Sequence, residues 1–377
     1  NYIRIFGGTF MESKRRFGDR KDGRLIQSLA PFYKFMPYIM PTKNDACNQF
    51  EDCIEITNTD RWLRQKRLEG YKGLGYLHLF IAAYIRMVSM RPGINRFVAG
   101  RRIYARNNIE VVLTVRRSMS TTSNETTIKA VFAPTDTIFD VYRKMNEKID
   151  EIKYGDQDNN TEQVAGALLK LPRFLLRFAI GCLRVMDYFG IIPQKLLDAS
   201  PFHGSMIITD MGSLGIPPIY HHLYNFGNLP MFIAFGAKRK AVELDREGKP
   251  VERKYIDFMA VMDERVCDGY YYASSFKYMK MFMHNPALLE VPPEKVVEDL
   301  FEHPYLHKEK PPALQEVFAF VRPLAPPAPT EPQRGRTQQQ HDEHDKDHKA
   351  EFLHRSPLLC FRLTPVYAAA AKKAVAS

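Results

Sequence analysis

The sequence has no Cys-x-x-Cys pair, which leaves the common zinc-finger and iron–sulfur architectures without a framework. Its cysteines (Cys47, Cys53, Cys182, Cys267 and Cys360) are few, scattered and odd in number, a usage that fits a reducing, cytoplasmic compartment better than a disulfide scaffold. Long apolar runs are missing too: none reaches the roughly 18 to 20 residues that a spanning helix requires. No signal-like segment opens the chain, and no internal repeat divides it. The first residue is Asn rather than Met, so the expectation is an N-terminal piece that is missing or trimmed.

What is present is ordinary in amount and uneven in placement. With 377 residues, 45% hydrophobic and 26% charged, the chain can bury one large core, and one principal domain is expected. The net charge of +11 is spread along the chain rather than striped, so it reads as a solvated basic surface and not as a nucleic-acid footprint. Three composition zones follow: an N-terminal arm at residues 1–24, a folded domain at 25–308, and a Pro-rich linker with a largely disordered tail at 309–377. The tail carries His341, His344 and His348 without a cysteine or fixed scaffold beside them, and no metal is expected there. Ser13 to Arg24 is dense in charge and turn formers and reads as a solvated stretch.

Periodicity sets out the domain. Phe50 to Thr57 reads as a strand, Asp60 to Gly70 as a charged helix opened by Thr57-Asn58-Thr59-Asp60, and Tyr76 to Met90 as an apolar core helix stopped at Arg91-Pro92-Gly93. Arg101 to Arg116 alternates as a half-buried strand or hairpin, Thr126 to Ala133 as a strand, and Thr135 to Lys153 as an amphipathic helix. Residues 165–197 form a basic amphipathic insertion interrupted early by Pro172, in which Arg173, Arg177 and Arg184 interleave with leucines and phenylalanines. A subunit-facing or core-facing helix with snorkelling arginines is the first reading; a lid over an apolar substrate and peripheral contact with an anionic membrane are the others. Pro230 to Ala237 and Tyr255 to Met262 read as buried strands joined through a hairpin tip at Lys238 to Lys254.

The second of those strands runs into Asp263-Glu264-Arg265-Val266-Cys267-Asp268-Gly269, and Tyr270 to His284 then has helical periodicity up to Asn285-Pro286. A strand-to-helix corner in which four residues of seven are ionised is unusual, because an ordinary turn needs no such charge. The corner resembles the Asp-His-Arg-x-x-Asp-Gly motif of the dihydrolipoamide acyltransferase catalytic domains of 2-oxo acid dehydrogenase complexes, a motif with a relative in chloramphenicol acetyltransferase. Here Glu264 stands where that family has histidine. The likeness extends to Pro92-Gly93-Ile94-Asn95 after a long core helix, and to Phe202 through Gly215, which resembles the family's strand ending in Thr/Ser-Asn-x-Gly-x-x-Gly. It spans about Arg16 to Leu300 and is strongest from Ser200 to Leu289; no lipoyl-type domain accompanies it.

The resemblance implies an α/β two-layer sandwich of chloramphenicol acetyltransferase type, with a mixed sheet, helices on one side, and trimer formation. In that family the base comes from one subunit and the oxyanion donor from the next, and the trimers can build larger cages. By position, Thr209 is the oxyanion donor, Glu264 occupies the base position, Asp268 sets the corner through a salt bridge, and Gly269 permits close backbone approach. Asp210, Gly212 and Ser213 fall where coenzyme A or acyl-coenzyme A is expected as substrate, and an arginine of the N-terminal stretch corresponds to one that reaches an acidic partner at the family's site. Other components of a 2-oxo acid dehydrogenase complex are the implied partners.

Acyl transfer needs a base for the acceptor and a donor for the tetrahedral oxyanion. A carboxylate, with an ordinary pKa near about 4.3, is mismatched to a thiol or alcohol unless burial raises it. Three readings therefore stand: the transfer chemistry is lost and the fold retained; it is altered, with Glu264 as base; or His203, His221 or His222 supplies the base from elsewhere.

Overall fold

The computed structural model describes residues 2–6, 9–13, 16–116, 125–154, 166, 169–170 and 172–299. By internal contacts the chain divides into two units, Asn1–Pro311 and Pro312–Ser377; the expected linker and tail, with the three tail histidines, lie outside the described residues.

A six-stranded mixed sheet forms the frame. Its strands are β4 (Cys47–Glu55), β7 (Ile109–Arg116), β8 (Glu125–Phe132), β9 (Met206–Asp210), β10 (Met231–Leu244) and β11 (Pro250–Asp263), in the order β4-β11-β10-β9-β7-β8. Strand β9 runs parallel to both of its neighbours, and the remaining pairs are antiparallel. Two short strands, β1 (Tyr2–Phe6) and β2 (Thr9–Ser13), pair with each other, and β3 (Gly23–Leu25), β5 (Arg96–Ala99) and β6 (Arg102–Arg106) make a separate three-stranded sheet.

Side-chain alternation gives the large sheet two unlike faces. Val111, Leu113, Ile208, Ile233, Phe235, Phe258 and Met262 turn towards the helices and join the main core, packed under α3 (Tyr76–Met90) and α7 (Gly269–His284) with α2 (Thr57–Leu68) and α4 (Ile138–Tyr154) beside them. Val112, Ile207, Phe232 and Val261 point to the other face, where the loop residues Leu223 and Leu229 complete a smaller cluster. The architecture is thus a two-layer α/β sandwich with helices on one side, as the resemblance implies.

Helix α3 begins and ends where the apolar run predicts, because Arg91 is followed by Pro92, which has no N–H to continue the ladder. Other boundaries differ. Residues 101–116 do not form one hairpin: the chain breaks at Asn107-Asn108, so that β6 belongs to the small sheet and β7 to the large one. The hairpin arms are longer than expected, with strand pairing from Met231↔Met262 out to Leu244↔Pro250 and a bulge between Phe235 and Lys238. Helix α1 (Pro31–Ile39), absent from the sequence reading, opens on a proline at its first position. The insertion supplies α5 (Arg173–Tyr188) and α6 (Gln194–Ala199), with Pro172 immediately before the first residue of α5.

The solvated stretch expected over Ser13 to Arg24 is corrected at its end. Asp19, Arg20, Asp22 and Arg24 are buried, and the first three meet partners far away in sequence or across a tight turn. Arg20 donates to Asp22 Oδ1 (2.8 Å) and to Asp187 Oδ1 (2.7 Å), and Asp22 in turn accepts from the Asn228 side chain (2.6 Å).

Candidate functional site

Strand β11 ends at the corner because its last residue folds back on the chain. The Asp263 carboxylate accepts from Arg265 Nε (2.8 Å) and Nη2 (2.7 Å) and from the Arg265 backbone N–H (3.1 Å), while the Val266 N–H closes a turn on the Asp263 carbonyl (3.2 Å). Arg265 spends a further donor on the Met40 carbonyl (3.0 Å), and the Tyr272 hydroxyl donates to the Asp263 carbonyl (3.1 Å). Both members of this pair are buried, at 1% and 5% exposure. The fork–fork geometry leaves neither charge unpaired in the interior, which is the condition on which a buried ion pair is tolerated.

With Asp263 and Arg265 turned inward, Glu264 turns outward. Its backbone N–H is fixed on the Ala46 carbonyl (2.8 Å), but its side chain is exposed and makes no hydrogen bond or ion pair with another described residue. Arg265 is therefore not its partner; of the aromatic residues that follow the corner, Tyr272 lies under it and Tyr270 is exposed. Asp268 is the N-cap of α7. It accepts from the Tyr271 N–H (2.7 Å) and from the Tyr33 hydroxyl of α1 (2.8 Å). Among the described residues Asp268 is held by hydrogen bonds, and the corner's ion pair is Asp263–Arg265. Gly269 is corrected, since a Cβ at that position would meet nothing within 4 Å.

The second expected cluster sits at the end of β9. Thr209 is half-buried and shares parity with Ile207, so it faces away from the helices. The Asp210 carboxylate accepts from the Ser213 N–H (2.9 Å), and the Ser213 hydroxyl donates back to the Asp210 carbonyl (2.8 Å). Burial raises the Asp210 pKa against these backbone donors. Gly212 is required by close approach, because a Cβ would lie 2.7 Å from the Gly236 carbonyl oxygen. Asp210, Gly212 and Ser213 are thus a closed turn, with Ser213 exposed at its edge.

The two clusters do not meet within one chain. Thr209 is opposite Ala234, and Ala234 is opposite Met259, whereas the corner begins at Asp263, beyond Met262 paired with Met231. Four residues along a strand and two strands across put Thr209 and Asp263 about 15 Å or more apart.

The three histidines differ in setting. His203 is buried, with Nδ1 at 2.7 Å from the Ser200 hydroxyl and Nε2 at 3.5 Å from Asp187. His221 stacks on Phe232 with centroids 4.2 Å apart, on the same sheet face as Thr209, and burial lowers its pKa. His222 is exposed against Tyr224. None is placed at the corner by these contacts. Sequence reading missed Tyr33 and Lys43, whose partners are distant in the chain. Lys43 is buried and donates to the Tyr224 (2.9 Å) and Gly227 (2.7 Å) carbonyls; burial, opposed by Asp263, lowers its pKa to about 8. Arg20, in the expected N-terminal stretch, does reach an acid, but the acid is Asp187 of the insertion. No group of three or more metal-ligating side chains occurs among the described residues.

No known protein-family profile matches the chain, and no curated protein matches it. Among solved structures it is similar to a probable dihydrolipoamide acetyltransferase from Listeria monocytogenes, at 14% identity over 71% of this chain and 95% of that one, with a TM-score of 0.46. It is similar also to the Azotobacter vinelandii dihydrolipoamide acetyltransferase, at 11% identity over 70% and 93% with a TM-score of 0.44, and to a chloramphenicol acetyltransferase, at 12% identity over 68% and 99% with a TM-score of 0.40.

Proposed function

We propose that this chain is an acyltransferase-fold protein resembling the 2-oxo acid dehydrogenase acyltransferase core, in which the histidine-driven acyl-coenzyme A transfer is lost or altered. The observation that carries the reading is the corner itself. Asp263, Arg265 and Asp268 build a rigid, fully bonded strand-to-helix junction, and the residue it presents at its tip is a carboxylate, Glu264, in place of an imidazole. An exposed carboxylate lacks the burial that would match it to the proton of a thiol or alcohol.

Thr209 and Glu264 sit at opposite ends of the sheet, so a site using both needs two chains, and a homotrimer, alone or built into a cage, is the assembly proposed. The second reading rests on the same exposure. If a neighbouring subunit covers Glu264, its desolvation supplies the missing tuning, and an active coenzyme A-dependent acyltransferase results, with Thr209 donating to the oxyanion and Asp210, Gly212 and Ser213 near the cofactor. Calorimetric binding of coenzyme A and acetyl-coenzyme A to the purified protein, with thioester loss followed in the same sample, separates the two. Loss of the transfer predicts no turnover; turnover that disappears in Glu264→Gln establishes the second reading.

A further inference from the structure

Helix α5 is the one long helix among the described residues of the insertion, and its sixteen residues include none that is buried. Its far end is nevertheless firmly attached. Arg20 donates to the Asp187 carbonyl and carboxylate, Gly190 packs where a Cβ would lie 2.9 Å from Arg20, and Gly100 fits where a Cβ would lie 2.3 Å from the Tyr188 carbonyl oxygen. The helix is therefore held in place while an apolar stripe is left uncovered: Phe174 (70% exposed), Phe178 (70%), Val185 (55%) and Phe189 (69%) recur at the spacing of one face.

The charge beside that stripe is of one sign. Arg173, Arg177 and Arg184 line its edge and are exposed, and the helix's sole acid, Asp187, is occupied by Arg20 and faces His203 at 3.5 Å. The patch continues beyond α5. Tyr188 touches the β5–β6 hairpin at Gly100, Arg101 of that hairpin lies over the Tyr38 ring (5.4 Å to the centroid), and α1 exposes Phe32 (66%) and Phe35 (57%) beside Lys34. No helix of the described residues is long and apolar enough to cross a membrane.

We infer that α5, with the exposed end of α1, lies on an anionic phospholipid surface, the phenylalanines entering the headgroup–acyl boundary and the arginines meeting lipid phosphates. Amphipathic segments of this composition bind through buried apolar area plus attraction to anionic headgroups. A contact between copies of α5 would set Arg173, Arg177 and Arg184 against their own kind, because the helix's one acid, Asp187, is already bonded to Arg20, which favours lipid over a second copy.

The test is flotation of the full-length protein with vesicles of mixed phosphatidylglycerol and phosphatidylcholine, and with pure phosphatidylcholine. Binding to the mixed vesicles, weak or absent on pure phosphatidylcholine and reduced by added salt, is expected. Each of Arg173→Gln, Arg177→Gln and Arg184→Gln is expected to weaken it roughly fivefold, and Phe174→Ser with Phe178→Ser by at least about tenfold. These side chains are exposed, so unchanged melting of the variants checks their folding. Absence of binding to mixed vesicles overturns the inference, as does binding that the substitutions leave unchanged; a parent that does not float but dissociates into smaller species on Phe174→Ser with Phe178→Ser would assign the stripe to a subunit contact instead.

Discussion

Asp263 and Arg265 are the residues on which the corner depends, and their energetics are asymmetric. Deleting one charge of a buried, doubly bonded pair leaves the other desolvated and unanswered, at a cost of about 3–5 kcal/mol. Asp263→Ala and Arg265→Ala are each expected to lower the unfolding free energy by that order, whereas Asp263→Leu combined with Arg265→Met recovers much of the loss, because neither partner is left as an unpaired charge. Lys43 makes a second prediction, on pH. Lysine ordinarily titrates near about 10.4, and burial brings Lys43 down to about 8. Below that folded value both states are protonated and the folded state carries the full penalty of a buried ammonium. Between about 8 and about 10.4 the unfolded chain binds more protons than the folded one, so stability rises with pH across that window. Denaturant titrations at pH 7.5 and 9.5 are expected to show a gain in the parent and a smaller gain in Lys43→Met.

At the scale of elements, Asp268 joins two helices. It caps α7 through the Tyr271 N–H and ties α1 to it through Tyr33, so Asp268→Ala is expected to cost about 1 kcal/mol for the cap and a further increment for the lost tyrosine bond. A double-mutant cycle with Tyr33→Phe should return a coupling energy above zero, and additive losses would show that the Tyr33 contact contributes nothing.

The elements that could be read from sequence are those whose cause is local. Helix α3 stops at Pro92, α7 ends at Asn285-Pro286, and the apolar run into Asp263 is a strand, because each is fixed by periodicity or by a residue that cannot continue the ladder. What escaped reading has distant causes. The hairpin arms beyond Lys238 looked like a tip because both of their faces carry charge, yet strand pairing runs out to Leu244. Arg20 and Asp22 read as solvated because their partners Asp187 and Asn228 lie far along the chain. The corner's place, its glutamate and the Thr209 turn were all legible; that Asp268 would be bonded by Tyr33, and that Gly269 would have open space around it, was not.

At the scale of the molecule, the decisive feature is distance. The Thr209 and Glu264 ends of the sheet are too far apart to act on one reacting carbon, so any chemistry shared between them belongs to an assembly. Sedimentation or light scattering is expected to give three times the chain mass of 43.6 kDa, or a multiple of that trimer. A stable monomer would remove the two-chain site from consideration.

The residue that the corner presents to solvent at position 264 is the one on which the proposed reading turns. The most direct measurement is therefore acetyl-coenzyme A thioester loss, with a thiol acceptor, by the parent protein and by Glu264→His under identical conditions. The account predicts a silent parent and measurable turnover in Glu264→His. A parent that turns over at an enzymatic rate and is silenced by Glu264→His would contradict it and establish the carboxylate as the working base.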